Sequence, residues 1–133
     1  MDGKQLNSTE YLVMEILWES AVPLTNSEIQ KRMIQKYPDG IKTAGNITQR
    51  LLEKEFIHVA EIVKVHKRFA QKFTPSVSAE EYLKAQLDQN FVVRNNPDKA
   101  VSSMFSHLLK NQEISDQTLE ELMEMIKSRK EEP

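Results

Sequence analysis

The sequence contains no cysteine, so it can form neither disulfide bonds nor a thiolate metal site, and it has no thiol nucleophile. It also lacks any apolar run close to the roughly 18 residues that a membrane-spanning helix requires. The polar N-terminal stretch has no apolar core of the kind found in secretion signals. We therefore expect a cytoplasmic protein that does not insert into a membrane.

The length of 133 residues suits one ordinary domain or two small lobes. With 39% apolar and 29% charged residues, the chain can bury a core and is not disordered by composition. Its 18 basic and 20 acidic side chains give a net charge of -2. That balance alone is poor evidence for binding nucleic acid.

The net charge conceals an uneven distribution. Up to Pro75 there are 11 basic and 9 acidic residues, whereas from Ser76 onward there are 7 and 11. The segment from Ile62 to Pro75 holds four basic residues, one histidine and no acid. This pattern indicates an anion-binding front half and an acidic back half, although chance clustering on a solvated hairpin explains the charges equally well.

The front half predicts three helices followed by a β-hairpin. Asn7 and Glu10 form a capping pair for a first helix that runs to about Ser20. Its apolar residues cover more than half of the circumference, which is typical of a central helix packed on several sides. Thr25 begins a second helix that reaches about Lys36.

A third helix is predicted over about residues 42–55. Ala44, Ile47 and Leu51 share one face at 100° per residue, which leaves an amide-rich, mildly basic face opposite. Gly45 inside this helix would cost about 1 kcal/mol relative to alanine. Either the helix starts later, or another surface approaches the backbone closely at Gly45.

From Phe56 to Thr74 the apolar period changes from 3.6 to 2, which predicts a two-stranded hairpin. In the first strand the apolar residues are predicted to alternate with a second set of residues, and Glu61 interrupts the apolar side. The apolar set is Ile57, Val59, Val63 and Val65, and the second set is His58, Ala60, Ile62 and Lys64. Because the tip near His66 lacks Asn-Gly or Asp-Gly, we expect a loop longer than a tight turn.

The back half predicts three more helices, the first of which begins at a Ser78–Glu81 capping box and ends near Asn95. The apolar stripes of these helices could form a core shared with a second, symmetry-related copy, because a lobe this small has only marginal stability on its own. Closure of an intramolecular three-helix core is the other interpretation of the stripes. The predicted dimerisation residues are Leu83, Leu87, Phe91, Val101, Met104, Phe105, Leu108, Leu119, Leu122, Met123 and Ile126.

The predicted fold is mainly α with a small β-hairpin: a winged helix-turn-helix at residues 1–75 and a helical dimerisation domain at residues 76–133. In a helix-turn-helix the second helix of the pair enters the DNA major groove, while wing cations need only lie near phosphates. The predicted DNA-binding residues are Lys42, Thr43, Gly45, Asn46, Gln49 and Arg50 in the third helix and Lys64, Lys67, Arg68 and Lys72 in the wing at residues 62–74.

Several segments are similar to one protein family. Leu6 to Glu10 followed by Val13 to Trp18 resembles the opening of the penicillinase and methicillin-resistance repressors, the BlaI/MecI/CopY type. Further matches are Leu24-Thr25, Glu28-Ile29, Thr43, Arg50-Leu51, Lys54, Pro75, Val77-Ser78, Glu80-Glu81-Tyr82 and Leu119-Glu120-Glu121-Leu122. The resemblance covers about residues 6–130. It implies a winged-helix domain, a helical homodimerisation domain and repression from a palindromic operator in double-stranded DNA.

The chain departs from that family in three places. Ala44-Gly45-Asn46 stands where the family usually has threonines and apolar residues, so the operator sequence is not carried over. His107-Leu108 stands where protease-sensitive members have an Asn-Phe bond, and the cysteine motif of the copper-responsive branch is missing. The sequence therefore identifies neither the inducing signal nor a sensor or protease partner.

Two other classes of function compete with a repressor. A winged-helix protein-interaction module that no longer reads DNA is the alternative, motivated by Gly45, the acidic Glu53–Glu55 end and the low pI. An enzyme is not predicted, because the three histidines fall in different elements, without metal-ligand spacing or an adjacent nucleophile. We accordingly expect no cofactor and no metal.

Overall fold

The computed structural model describes residues 5–39 and 44–132, which form seven helices and one two-stranded antiparallel sheet. The elements are α1 (Ser8–Glu19), α2 (Asn26–Lys36), α3 (Gly45–Glu53), β1 (Ile57–Val65), β2 (Arg68–Pro75), α4 (Ala79–Gln89), α5 (Phe91–Asn95), α6 (Pro97–Asn111) and α7 (Asp116–Glu131). The predicted fold class is confirmed. None of the helices in the described ranges is long and apolar enough to cross a bilayer.

Contacts group the chain into two compact units, Met1–Gln89 and Asn90–Pro133. The first unit contains α1 to α3, the hairpin and α4, and the second contains α5 to α7. The domain boundary at Pro75 stays a prediction.

Capping boxes set the starts of the first two helices. The Asn7–Glu10 pair and the start of the second helix at Thr25 are confirmed, and the second capping box is an additional finding. The Glu10 amide donates to Asn7 Oδ1 (2.8 Å), and the Asn7 amide donates to Glu10 Oε1 (2.9 Å). Thr25 and Glu28 exchange the equivalent pair of hydrogen bonds at the start of α2. Each box satisfies amides that the first turn of a helix otherwise leaves unpaired.

One hydrophobic core fills the first unit, and α1 lies at its centre, in contact with α2, α3 and β2. This confirms the prediction of a central first helix. The predicted stripe of the third helix, Ala44, Ile47 and Leu51, is also buried. The other buried core residues are Val13, Met14, Ile16, Leu17, Leu24, Ile29, Met33, Phe56, Ile57, Phe73 and Val77.

The third helix is shorter than the predicted range of 42–55. It ends at Glu53, and Glu55 follows in the left-handed region with φ 66°. The Glu55 amide donates to the Leu52 carbonyl and the Phe56 amide to the Leu51 carbonyl, both at 3.0 Å. This is a Schellman end with glutamate at the position where glycine is usual, which is why the sequence did not reveal it.

The hairpin turns more tightly than expected. Val65 pairs with Arg68, so only two residues connect the strands, and the prediction of a longer loop was wrong. His66 takes a positive φ of 59° and Lys67 does not. A positive φ at the first central residue alone is the pattern of a type II′ turn, which here forms without glycine.

A β-bulge also changes which residues share a face of the hairpin. Val59 pairs with Phe73 and Glu61 with Lys72, so Ala60 is the extra residue of the bulge. Because paired residues point to the same side of a sheet, the faces of β1 exchange at this bulge. Val63 therefore lies on the face opposite Val59, and the simple alternation predicted from the sequence holds only up to the bulge.

The predicted fourth helix is interrupted at Asn90. The Asn90 side chain accepts hydrogen bonds from the Val92 amide (2.9 Å) and the Val93 amide (3.1 Å), while the backbone of Asn90 is extended. Asn90 is thus the N-cap of a new short helix rather than a residue inside a long one. One predicted helix is replaced by α4 and α5.

The start of α4 is held against the rest of the first unit by polar bonds as well as rings. Trp18 Nε1 donates to the Val77 carbonyl (2.8 Å), and the Leu6 amide donates to the Tyr82 hydroxyl (3.0 Å). The Tyr82 ring meets the Phe56 ring edge-on, with centroids 5.7 Å apart. These contacts explain why α4 groups with the winged-helix elements.

A fully buried carboxylate joins α1 to α3. Glu10 Oε1 accepts from Lys54 Nζ (2.7 Å), and Glu10 Oε2 lies 3.5 Å from Arg50 Nε. Burial acts to raise the pKa of Glu10. The hydrogen bond from the Asn7 amide and the charges of Lys54 and Arg50 outweigh burial and hold that pKa below 4.5.

Replacing Glu10 with glutamine should lower the free energy of unfolding at pH 7 by roughly 2 kcal/mol, because a cap acceptor remains but the ion pairs are removed. The folded-state pKa of Glu10 is lowered, so its stabilisation is complete well above 4.5 and is lost as the pH falls through the folded value. Urea unfolding at pH 7 and pH 3 should therefore show a smaller gap between wild type and Glu10→Gln at pH 3. Exposed Glu53→Gln is the control, and an equal gap for Glu10→Gln at both pH values would contradict the prediction.

Candidate nucleic-acid interface

The outer face of α3 carries the polar residues that the sequence singled out. Asn46, Gln49 and Arg50 are exposed, while Ile47 and Leu51 face the core. Because α3 packs against β1, its exposed face and the hairpin belong to the same compact unit. The predicted contacts Lys42 and Thr43 lie outside the described residues.

Gly45 is the first residue of α3 and is not inside it. This agrees with a later helix start, the first of the two interpretations of this glycine. A Cβ atom added at Gly45 would meet no atom of the described residues within 4 Å. The described part of the folded unit therefore does not require glycine here, and its role in binding DNA stays a prediction.

Thr48, which the sequence did not single out, fixes the first turn of α3. It is buried, and its Oγ1 lies 2.7 Å from Asn26 Oδ1 and 3.0 Å from the Gly45 carbonyl. One hydroxyl proton is shared between these two acceptors. The sequence did contain one indication of this role. Thr48 follows Ile47 at the edge of the buried stripe, and a hydroxyl buried there needs a hydrogen-bond partner.

Arg50 has two environments. Its Nε lies 3.5 Å from buried Glu10 Oε2, yet 45% of the side chain is exposed. The guanidinium carries further N–H donors that a single Nε contact does not use. The ion pair restrains the stem of Arg50, so a contact between its outer nitrogens and DNA would require little further ordering.

The wing presents three of its predicted cations to solvent. Lys64, Lys67 and Arg68 are exposed, and none of them forms an ion pair with any residue in the described part of the chain. Lys72 differs, because it is half-buried and its Nζ lies 3.8 Å from Glu61 Oε1. The wing tip is thus a better place for phosphate contacts than its base.

The start of α2 carries a negative charge near the wing. The hydrogen bond from the Thr25 amide is the main cause that lowers the pKa of Glu28, with smaller effects from Lys72 and Arg32. A charged carboxylate at this position makes the groove between α2 and the wing unattractive to a phosphate. Among residues 5–39 and 44–132, no cluster of three or more histidine or acidic side chains could hold a metal ion.

The second unit leaves its apolar stripes largely uncovered. Ala100 is its one buried residue within the described range. Val101, Met104, Leu108, Met123 and Ile126 are exposed, as is Phe91, and Phe105, Leu119 and Leu122 are half-buried. Within the first unit, Leu83 of α4 is exposed and Leu87 is half-buried. The stripes of α6 and α7 do not close a core within one chain over these residues.

Comparisons with known proteins agree with this arrangement. The family model described as penicillinase repressor matches residues 6–128. No curated protein matches the chain. Members of the matched family are transcriptional repressors that bind DNA as dimers. Because the match covers almost the whole chain, the protein belongs to the penicillinase repressor family of DNA-binding transcriptional regulators.

Proposed function

We propose that the protein is a homodimeric repressor that binds a palindromic DNA operator. In this proposal α3 lies in the major groove and reads the bases, and the basic wing contacts phosphates. One compact unit combines an exposed Asn46–Gln49 face with three wing cations that pair with no acid in the described part of the chain, and this observation carries the proposal. Asparagine and glutamine can each pair with two edge atoms of adenine, whereas lysine and arginine pair with guanine or phosphate. Such a protein acts where the DNA is, and the proposal accordingly places it in the cytoplasm.

The uncovered apolar stripes of the second unit support the homodimer. Exposed apolar stripes on a small unit mark interaction surfaces, and a two-fold axis lets one stripe cover its own copy. Two copies would present two α3 helices to half-sites about one helical turn apart. The dimer would therefore supply the affinity and the palindromic preference together.

The assignment of α3 as the reading helix is tested with Gln49→Ala on an operator selected from a random duplex pool. If Gln49 makes a two-atom base contact, its removal should weaken operator binding by roughly 1–3 kcal/mol and random-duplex binding by much less. Gln35→Ala, an exposed glutamine on α2, is the matched control. Equal losses of affinity on both duplexes would show that Gln49 takes no part in base recognition.

The wing is tested by the salt dependence of binding. Replacing Lys67 and Arg68 together by alanine should lower the slope of log K against log salt by roughly 0.9 for each phosphate that is no longer neutralised. Lys84→Ala, an exposed lysine on α4, should leave the slope unchanged. A double variant with the wild-type slope would show that these cations do not touch phosphate.

The dimer surface is tested by two methionines on α7 that are similarly exposed, Met123 at 68% and Met125 at 63%. Met123 belongs to the predicted stripe and Met125 does not. A carboxylate buried at the interface should cost roughly 3–5 kcal/mol per unpaired charge, so Met123→Asp should sediment as a monomer and Met125→Asp as a dimer. Dimers from both variants, or monomers from both, would place the interface elsewhere.

A further inference from the structure

One face of the wing exposes large apolar side chains to solvent. Phe69 is 76% exposed and Ile62 is 62% exposed. Phe69 pairs with Lys64, and Ile62 pairs with Gln71 two positions along each strand. Diagonal neighbours of this kind share one side of a sheet, so Ile62, Lys64, Phe69 and Gln71 form a single surface, here called the outer wing face.

The outer wing face is the continuation of the core-facing side of β2. Phe73 points to the same side as Phe69 by strand alternation, yet it is only 2% exposed. The hairpin therefore carries this face, with the large apolar side chains of Ile62 and Phe69, from the core out into solvent. With three quarters of its surface in solvent, the Phe69 ring is open to a large partner.

The charges around the outer wing face select an anionic partner. Lys64 lies directly opposite Phe69, and Lys67 lies in the adjoining turn. Arg68 begins β2 and lies next to Phe69 along the strand, on the opposite face. No acidic residue occurs between Ile62 and Pro75. A protein surface would have to be both apolar and acidic to match. A DNA duplex offers apolar and anionic surface side by side along its whole length, because the apolar edges of its deoxyriboses lie between rows of phosphates.

We propose that Phe69, supported by Ile62, packs against deoxyribose in the minor groove beside the site that α3 reads. This inference rests on the proposed function, since it assigns a contact within the same protein–DNA complex. The wing would then have two kinds of contact, cations on phosphate and an aromatic ring on sugar. Burying the ring removes apolar surface from water, so its contribution does not depend on counterion release.

The test compares full-length variants on a fluorescent duplex of mixed sequence over a range of salt concentrations. Phe69→Ala should weaken binding roughly tenfold at every salt concentration, which gives a line parallel to that of wild type. Arg68→Ala should instead lower the slope by roughly 0.9 if Arg68 neutralises one phosphate. Ile34→Ala truncates a side chain on α2 that is 50% exposed and should match wild type.

Each departure from this pattern has a distinct meaning. If wild type binds with a steep salt dependence and Phe69→Ala coincides with it, the sugar contact is refuted while the repressor function stands. If wild type shows no salt-dependent binding, the proposed function fails and the sugar contact fails with it. A reduced slope for Phe69→Ala would overturn the sugar contact, because the ring would then only position the neighbouring cations.

Two further measurements separate a direct contact with DNA from an effect on folding or assembly. Thermal unfolding of Phe69→Ala should match that of wild type, because an exposed side chain contributes little to stability. Sedimentation should also match, and a change in oligomeric state would identify a second copy of the chain as the occupant.

The position of the ring on DNA is tested by hydroxyl-radical footprinting on a selected operator. Protection of deoxyribose beside the half-sites should disappear in Phe69→Ala and persist in Arg68→Ala. Unchanged protection in Phe69→Ala would overturn the minor-groove placement.

Discussion

The position of α3 depends on one buried carboxylate. Glu10 caps α1 through the Asn7 amide and at the same time pairs with Lys54 and Arg50 from the end of α3. A lone charge in this position would be strongly unfavourable, and it is tolerated because two cations and an amide surround it. Lys54 also donates to the Gln5 carbonyl, so the few residues before α1 are fixed together with α3.

A second consequence of that arrangement is that the cations serve different partners. Lys54 and the stem of Arg50 pair with the buried Glu10 carboxylate, and Lys72 lies near Glu61 at the base of the wing. Lys64, Lys67 and Arg68 form no ion pair within residues 5–39 and 44–132. The net charge of -2 therefore says little about DNA binding. What matters is which basic residues already have an internal acid, and the sequence alone does not reveal that.

Much of the fold was predictable, because its signals are local. The capping pair at Asn7, the helix start at Thr25 and the buried stripe through Ile47 follow from local pattern alone. Three features could not be predicted in this way, because each uses a residue that is unusual at its position or begins at an unexpected place in the sequence. They are the Schellman end at Glu55, the two-residue turn at His66 and the helix cap at Asn90. For the site, exposed Gln49 could be anticipated, whereas Thr48 and the double environment of Arg50 depend on partners far away in the chain.

The bulge at Ala60 bears on how the length of the wing could vary during evolution. Because Ala60 is the extra residue, a chain without it could keep Val59 opposite Phe73 and Glu61 opposite Lys72, and every pair beyond them would stay the same. A one-codon deletion at this point would thus straighten the strand and leave the outer wing face intact. A deletion elsewhere in β1 would instead shift the register and turn the side chains beyond it to the other side. When relatives are aligned, a gap in β1 therefore belongs at this bulge.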